Sequence, residues 1–291
     1  MSQLTATIQS WMAKGRFTLI DDVEIFYHVE GNRHLPWLVC FHGFPTSSWD
    51  WHLLLPHLTK NWRVLIFDFP GYGLSGKPRK HNYSLTRQLD VAETLLKSLR
   101  IVDFDLLCHD MGNSVACELL YRREQGDYPF RLRSLSMLNG GIYMDLHQPL
   151  LTQRLLRTPV IGSLTARFSS WRVFRWQYPL VYARPGEFDE EHYRSQWALM
   201  QHNRGRLTLH KVARYMKERQ RMGDRWTGPL HRLDLPFKVI WGRRDPIAVQ
   251  AISEKLCAEN PDVKLYTLDE EAHYPQLEAP KLVADCLLES G

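Results

Sequence analysis

The chain predicts an open α/β fold, an eight-stranded and mostly parallel sheet with an inserted helical cap, and three patterns carry that expectation. From Trp37 onward, strand-like apolar runs alternate with helical patterns. Several of those runs, such as Trp37-Leu-Val-Cys-Phe and Lys238-Val-Ile-Trp, are apolar almost throughout, which marks strands covered on both faces. The alternation stops after Leu138-Asn-Gly-Gly-Ile and resumes at Leu235-Pro-Phe-Lys-Val-Ile-Trp-Gly. A structureless loop of about ninety residues is rare in a compact domain, so the intervening segment reads as helical.

Strands are expected at 16–21, 23–30, 37–41, 63–67, 104–108, 132–138, 237–241 and 264–268. The first two, separated by Asp21-Asp22, form a hairpin. Helices are expected at 48–58, 85–99, 112–123, 249–259 and 280–289. Residues 1–142 and 231–291 then make the core domain and 143–230 the cap, punctuated by Pro149, Pro159, Pro179, Pro185 and Gly205. The first fifteen residues read as a short amphipathic helix, without the basic n-region and continuous apolar h-region of a secretory signal. No apolar run approaches the roughly 20 residues of a membrane span.

The five cysteines show no CxxC pair and no metal-ligand spacing, as expected for reduced core residues of a cytoplasmic protein that needs no metal or organic cofactor. The net charge of +5 is unevenly spread, because the cap is basic and rich in Arg and Trp. Its arginines are dispersed among core-type residues, so a solvated helical face is expected and nucleic-acid binding is not. A weak membrane-surface contact through this cap is an expectation that salt-sensitive vesicle pelleting would test.

Residues 104–112, Phe-Asp-Leu-Leu-Cys-His-Asp-Met-Gly, run an apolar strand into a tight turn and then a helix. This is the pattern of a nucleophile elbow, with Cys108 and Gly112 as the small neighbours that let the backbone pass. Its apex is Asp110, a carboxylate already ionised at neutral pH and able to attack an alkyl carbon without a base. An ordinary N-cap aspartate would give the same local pattern. Three further segments end predicted strands, where open α/β sheets place their ligands. They are His42-Gly-Phe-Pro, Trp241-Gly-Arg-Arg-Asp245-Pro, and Asp269-Glu-Glu-Ala-His273-Tyr-Pro. The order Asp110, Asp245, His273 is that of nucleophile, acid and histidine in such sheets. Main-chain amides of Phe44 and Met111 are the expected oxyanion donors, with their side chains lining the pocket.

With Asp68-Phe-Pro-Gly-Tyr-Gly-Leu-Ser, Leu138-Asn-Gly-Gly-Ile-Tyr and His273-Tyr-Pro-Gln-Leu-Glu added, the sequence resembles the α/β-hydrolases. Within them it is most similar to the epoxide hydrolase and haloalkane dehalogenase branch, and closest to the mesoderm-specific transcript-like hydrolases. The resemblance spans nearly the whole chain. It implies the α/β-hydrolase fold and a two-step hydrolysis. Asp110 would form an alkyl-enzyme ester, and His273, oriented by Asp245, would activate water to hydrolyse it.

Dehalogenases of the branch hold the halide with N–H donors, commonly a Trp just after the nucleophile. This chain has Met111 there and Phe44 after His42-Gly43, neither of which donates from its side chain. A halide site would rest on Trp171, Trp176 or Trp197. Fluoroacetate-type dehalogenases carry arginines just after the nucleophile, which this chain lacks, and Ser114 lies too far into the helix for an esterase nucleophile. Epoxide hydrolases protonate the opening ring with cap tyrosines, and Tyr215, Tyr178 and Tyr182 are the candidates. His42, His109, Trp171 and Trp176 are the expected substrate-binding residues. The resulting expectation is a monomer or weak homodimer that hydrolyses small hydrophobic epoxides to diols. Haloalkane dehalogenation is the alternative, and a binding protein that retains the fold a further one.

Overall fold

The computed structural model describes residues 4–126, 128–158 and 161–289, so Pro159 lies outside the described residues. Eight strands form one sheet: β1 (Arg16–Ile20), β2 (Val23–Glu30), β3 (Trp37–Phe41), β4 (Arg63–Phe67), β5 (Asp103–Cys108), β6 (Arg131–Leu138), β7 (Phe237–Gly242) and β8 (Lys264–Leu268). Their spatial order is β1-β2-β4-β3-β5-β6-β7-β8. β1 and β2 form the expected antiparallel hairpin, β2 runs antiparallel to β4, and every later pairing is parallel.

The side-chain period of two explains why the central strands are apolar throughout. Val39, Phe41, Leu65 and Phe67 enter one core with the helices Leu85–Ser98 and Met111–Glu124. Leu38, Cys40, Val64 and Ile66 enter the other, with the N-terminal helix Ala6–Lys14 and the C-terminal helix Pro280–Leu288. Cys40, Cys108, Cys117 and Cys286 are buried and all five cysteines are free thiols.

One expected element differs. In place of a helix over 48–58 there is a 3-10 turn, Ser48–Trp51, followed by a single α-turn, Leu55–Leu58. The Ser48 amide donates to Asp68 Oδ1 at 2.7 Å and Pro56 sits in the first turn of the second piece, where a missing N–H costs nothing but cannot continue an earlier helix.

The helical insert between β6 and β7 consists of short pieces from Leu151–Leu156 to Asp224–His231. Its last helix docks on the core through Glu118, a buried carboxylate that accepts from Arg225 at 2.7 and 3.0 Å and from Trp226 Nε1 at 2.8 Å. Arg122 of Glu118's own helix donates to it at 3.2 Å. Burial pushes the Glu118 carboxyl up, but these donors outweigh it and hold it below its ordinary value. Glu118→Ala is expected to cost about 2–4 kcal/mol, because it strands a buried indole N–H and removes the ion-pair partner of Arg225. Chemical denaturation of the variant checks this, and a loss below about 1 kcal/mol would show that the joint is not held there.

Candidate active site

The turn after β5 places Asp110 at φ 44°, ψ −105°, strained backbone that is held from three sides. His109 N–H donates to the Phe41 carbonyl at 3.0 Å, Asp110 N–H to the Asn139 carbonyl at 2.9 Å, and Gly112 N–H to the His109 carbonyl at 2.8 Å. The crossing is tight enough that a Cβ at Gly112 would collide with the Phe41 carbonyl oxygen, and one at Gly43 would sit 2.8 Å from Asp110 Cβ. The buried Asp110 carboxylate accepts the Phe44 amide at 2.9 Å; the residue stands at the N-terminus of the helix Met111–Glu124, whose dipole favours an anion, though its side chain makes no capping hydrogen bond. Burial raises its pKa, but His273, Arg219, His109 and the Phe44 amide together bring it below the ordinary value.

His273 follows β8, and its Nδ1 lies 2.7 Å from Asp245 Oδ2 in the loop after β7. Asp245 is fixed by Asn139 Nδ2 at 2.9 Å and by the amides of Ile247 and Ala248 at 2.7 and 3.0 Å. Burial pushes His273 down, yet Asp245, Asp110 and Asp50 raise it to about 9, so the surrounding carboxylates favour the protonated ring.

A cavity of about 370 Å³ reaches His273 and is lined also by Phe44, Tyr178, Trp197, Ile247 and further apolar cap residues; Asp110 and Tyr215 are not among its lining residues. Tyr215 is 1% exposed and stands 5.5 Å from the Phe44 ring. No well-formed hydrogen bond holds its hydroxyl among the described residues, and burial with the facing Asp110 charge pushes its pKa well up. Tyr182 lies behind Tyr178: its hydroxyl donates to that of Tyr178 at 3.2 Å and lies 3.1 Å from His192 Nε2.

The remaining expected residues are placed elsewhere. Met111 turns its sulfur to the Tyr72 hydroxyl, 2.9 Å away, so its side chain is not part of the cavity wall. His42 donates from Nδ1 to the Gly43 carbonyl and accepts the Phe69 amide at Nε2, and His109 Nε2 donates to the His273 carbonyl at 2.7 Å. Burial lowers both rings, His109 to about 3, and both tie loops together behind the cavity. Trp171 stacks on Phe174 under Arg194, and Trp176 is 70% exposed; neither lines the cavity.

Three residues join the site without having been singled out in the sequence. Asn139, at the end of β6, links the Asp110 amide to Asp245; its place at a strand end was the available signal. Arg219 donates through Nε to Ser114 Oγ at 2.8 Å and through Nη2 to the Asp110 carbonyl at 3.4 Å, stacked against the Tyr215 ring. Nothing distinguished it among the neighbouring cap arginines. Asp50, fully buried, accepts from Thr46 Oγ1 and from the cap's Gln196 at 2.9 Å.

Residues 36–280 match the family described as the alpha/beta hydrolase fold. The chain belongs to that family. It is 36% identical to the mesoderm-specific transcript protein of Mus musculus, over 96% of this chain and 86% of that protein. It is 33% identical to the putative hydrolase LipZ of Mycobacterium tuberculosis, over 97% of each chain. In structure it resembles haloalkane dehalogenase DbeA from Bradyrhizobium elkanii, with a TM-score of 0.81 at 22% identity over 94% of this chain and 95% of that one.

Burial pushes Asp50 up to about 7 against the two hydrogen bonds it accepts. Its folded pKa therefore lies above the unfolded value near 3.9, and stability present below that value is lost as pH rises toward 7. Asp50→Asn escapes the loss: its melting temperature should exceed that of the parent at pH 8, with the gap closing by pH 4. An equal gap at both pH values would place the ionisation elsewhere.

Proposed function

We propose that this α/β-hydrolase is an epoxide hydrolase acting through an alkyl ester of Asp110. The observation that carries this reading is the Tyr215 hydroxyl, buried and without a well-formed hydrogen bond against the Asp110 carboxylate. Asp110 attacks a ring carbon, the C–O bond breaks, and Tyr215 gives its proton to the departing oxygen. His273 then takes a proton from water, and the hydroxide adds to Asp110 Cγ while the Phe44 amide holds the oxyanion. Collapse expels the diol oxygen, which takes the His273 proton, and the proton left on the Asp110 acid returns to the Tyr215 phenolate.

One change of charge couples the two steps. Esterification removes the Asp110 charge that keeps Tyr215 protonated and His273 cationic. The same event thus eases proton donation by the phenol and lowers the imidazolium's pKa, so that His273 gives its proton to solvent before it acts as the base and regains one when Asp110 is ionised again. The cavity lining favours apolar epoxides, since its wall is mostly aliphatic and aromatic.

A second reading, haloalkane dehalogenation, rests on Trp197, whose indole lines the cavity and is of the donor type that cradles halide. Parallel assays of epoxides and bromoalkanes separate the two. With His273→Gln, an epoxide should leave its full mass on the peptide bearing Asp110, and turnover should fall by ~10³-fold or more. Tyr215→Phe should slow ester formation from epoxides by ~10²-fold and leave bromide displacement unaffected. Bromide release with no diol from any epoxide would overturn the assignment, and the absence of adduct from both panels would favour a non-catalytic binding protein.

The pH dependence has a definite sign. Asp110 stays ionised below the usual carboxylate range, so ester formation persists at pH 5, whereas water activation needs neutral His273 and slows as pH falls. Quenched single-turnover samples of the unmodified protein should hold more adduct at pH 5 than at pH 8. Equal adduct at both would exclude His273 as the base.

A further inference from the structure

The cap turns its large apolar side chains outward. Seven of the thirteen exposed large hydrophobic residues among the described residues lie between 151 and 180: Leu151, Ile161, Leu164, Phe168, Val173, Trp176 and Leu180. Their spacing is not random. Ile161, Leu164 and Phe168 fall at i, i+3, i+7 of the helix Ile161–Phe168, and Val173, Trp176 and Leu180 repeat the spacing along Trp171–Gln177 and the 3-10 turn that follows. That spacing makes one helical face, the face a globular protein ordinarily turns to its core. In Ile161–Phe168 the buried positions are instead Gly162 and Ala166. Phe168, 74% exposed, and Val173 also belong to the wall of the cavity that reaches His273, so the outward stripes border its mouth.

Charge points to what covers this surface. From Leu146 to Gly186 the sequence holds six arginines, 154, 157, 167, 172, 175 and 184, with no lysine, aspartate or glutamate. Arg175 and Arg184 pair with Glu190, Glu187 and Glu271, but Arg154, Arg157, Arg167 and Arg172 make no ion pair among the described residues. Arg154, Arg167 and Arg172 are exposed beside the apolar stripes. Apolar side chains ringed by unpaired cations complement a lipid surface of negative charge, where the rings and aliphatic groups enter the acyl boundary and the guanidinium groups meet phosphate. No helix among the described residues is long and apolar enough to cross a membrane, so the contact is one of lying on the bilayer.

We propose that the 151–180 face of the cap docks on anionic membrane, setting the mouth of the apolar cavity against the lipid so that hydrophobic substrate enters from the bilayer. This does not depend on which bond the site hydrolyses. The test is sedimentation of the full chain with sucrose-loaded vesicles of phosphatidylcholine, with and without phosphatidylglycerol. The protein should pellet with the anionic vesicles at low ionic strength, far less with neutral ones, and lose binding as salt rises. Leu164→Gln with Leu180→Gln, both on the solvent side and outside the cavity wall, should weaken pelleting by ~10-fold or more without lowering the melting temperature. Arg167→Gln with Arg172→Gln should weaken binding to anionic vesicles and leave the small neutral-vesicle fraction unchanged. No pelleting at low salt, or pelleting untouched by either pair, would overturn the proposal. So would light scattering that showed a dimer dissociated by the leucine pair, since a second copy would then cover this face.

Discussion

The structure is organised around one buried negative charge, the Asp110 carboxylate on a backbone turn that few residues adopt. Burying an ion is costly unless donors and opposite charges surround it. Here the Phe44 amide, a helix N-terminus, the imidazolium of His273 and the guanidinium of Arg219 do so from four directions. Each belongs to a different part of the chain, so the loops after β3, β5 and β8 and the cap must all be in register for the charge to be tolerated. In the proposed reaction the same arrangement becomes useful because its balance is lost when Asp110 is esterified.

The helical insert between β6 and β7 reaches the candidate site directly. The Val181 carbonyl accepts the His273 amide, and Gln196 reaches Asp50, whose charge acts in turn on His273. Arg219 and Tyr215 bring a cation and a phenol to the far side of Asp110. The core strands thus supply the carboxylates and the imidazole, while the cap sets the electrostatic surroundings in which they titrate. Cap and core are joined at Glu118, and the segment between 151 and 180 packs inward through Leu156, Ala166 and Tyr178 while its larger apolar side chains face out.

Much of this was legible in the linear chain. All eight strands lie within a residue of the expected runs, because an apolar strand between two helical layers leaves a compositional mark that local context cannot hide. Asp110, Asp245 and His273 were legible because strand ends gather on one edge of a parallel sheet whatever the loops do. The 48–58 region reads as one helix but forms two short pieces, because Pro56 has no N–H with which to continue the first into the second. The aromatic cap residues were ambiguous for a different reason. Trp171, Trp176 and Tyr182 have the composition of cavity walls, but which side of a short helix faces inward depends on neighbours many residues away.

The sequence by itself therefore determined the sheet, the position of the insert and the three strand-end residues, all of which follow from periodicity and chain order. Only the tertiary structure decided that Arg219 and Asn139 brace Asp110, that Met111 turns away toward Tyr72, and that the cap's largest apolar side chains face out. Those outcomes depend on electrostatics and packing summed over segments far apart in the chain, and no local pattern encodes such a sum.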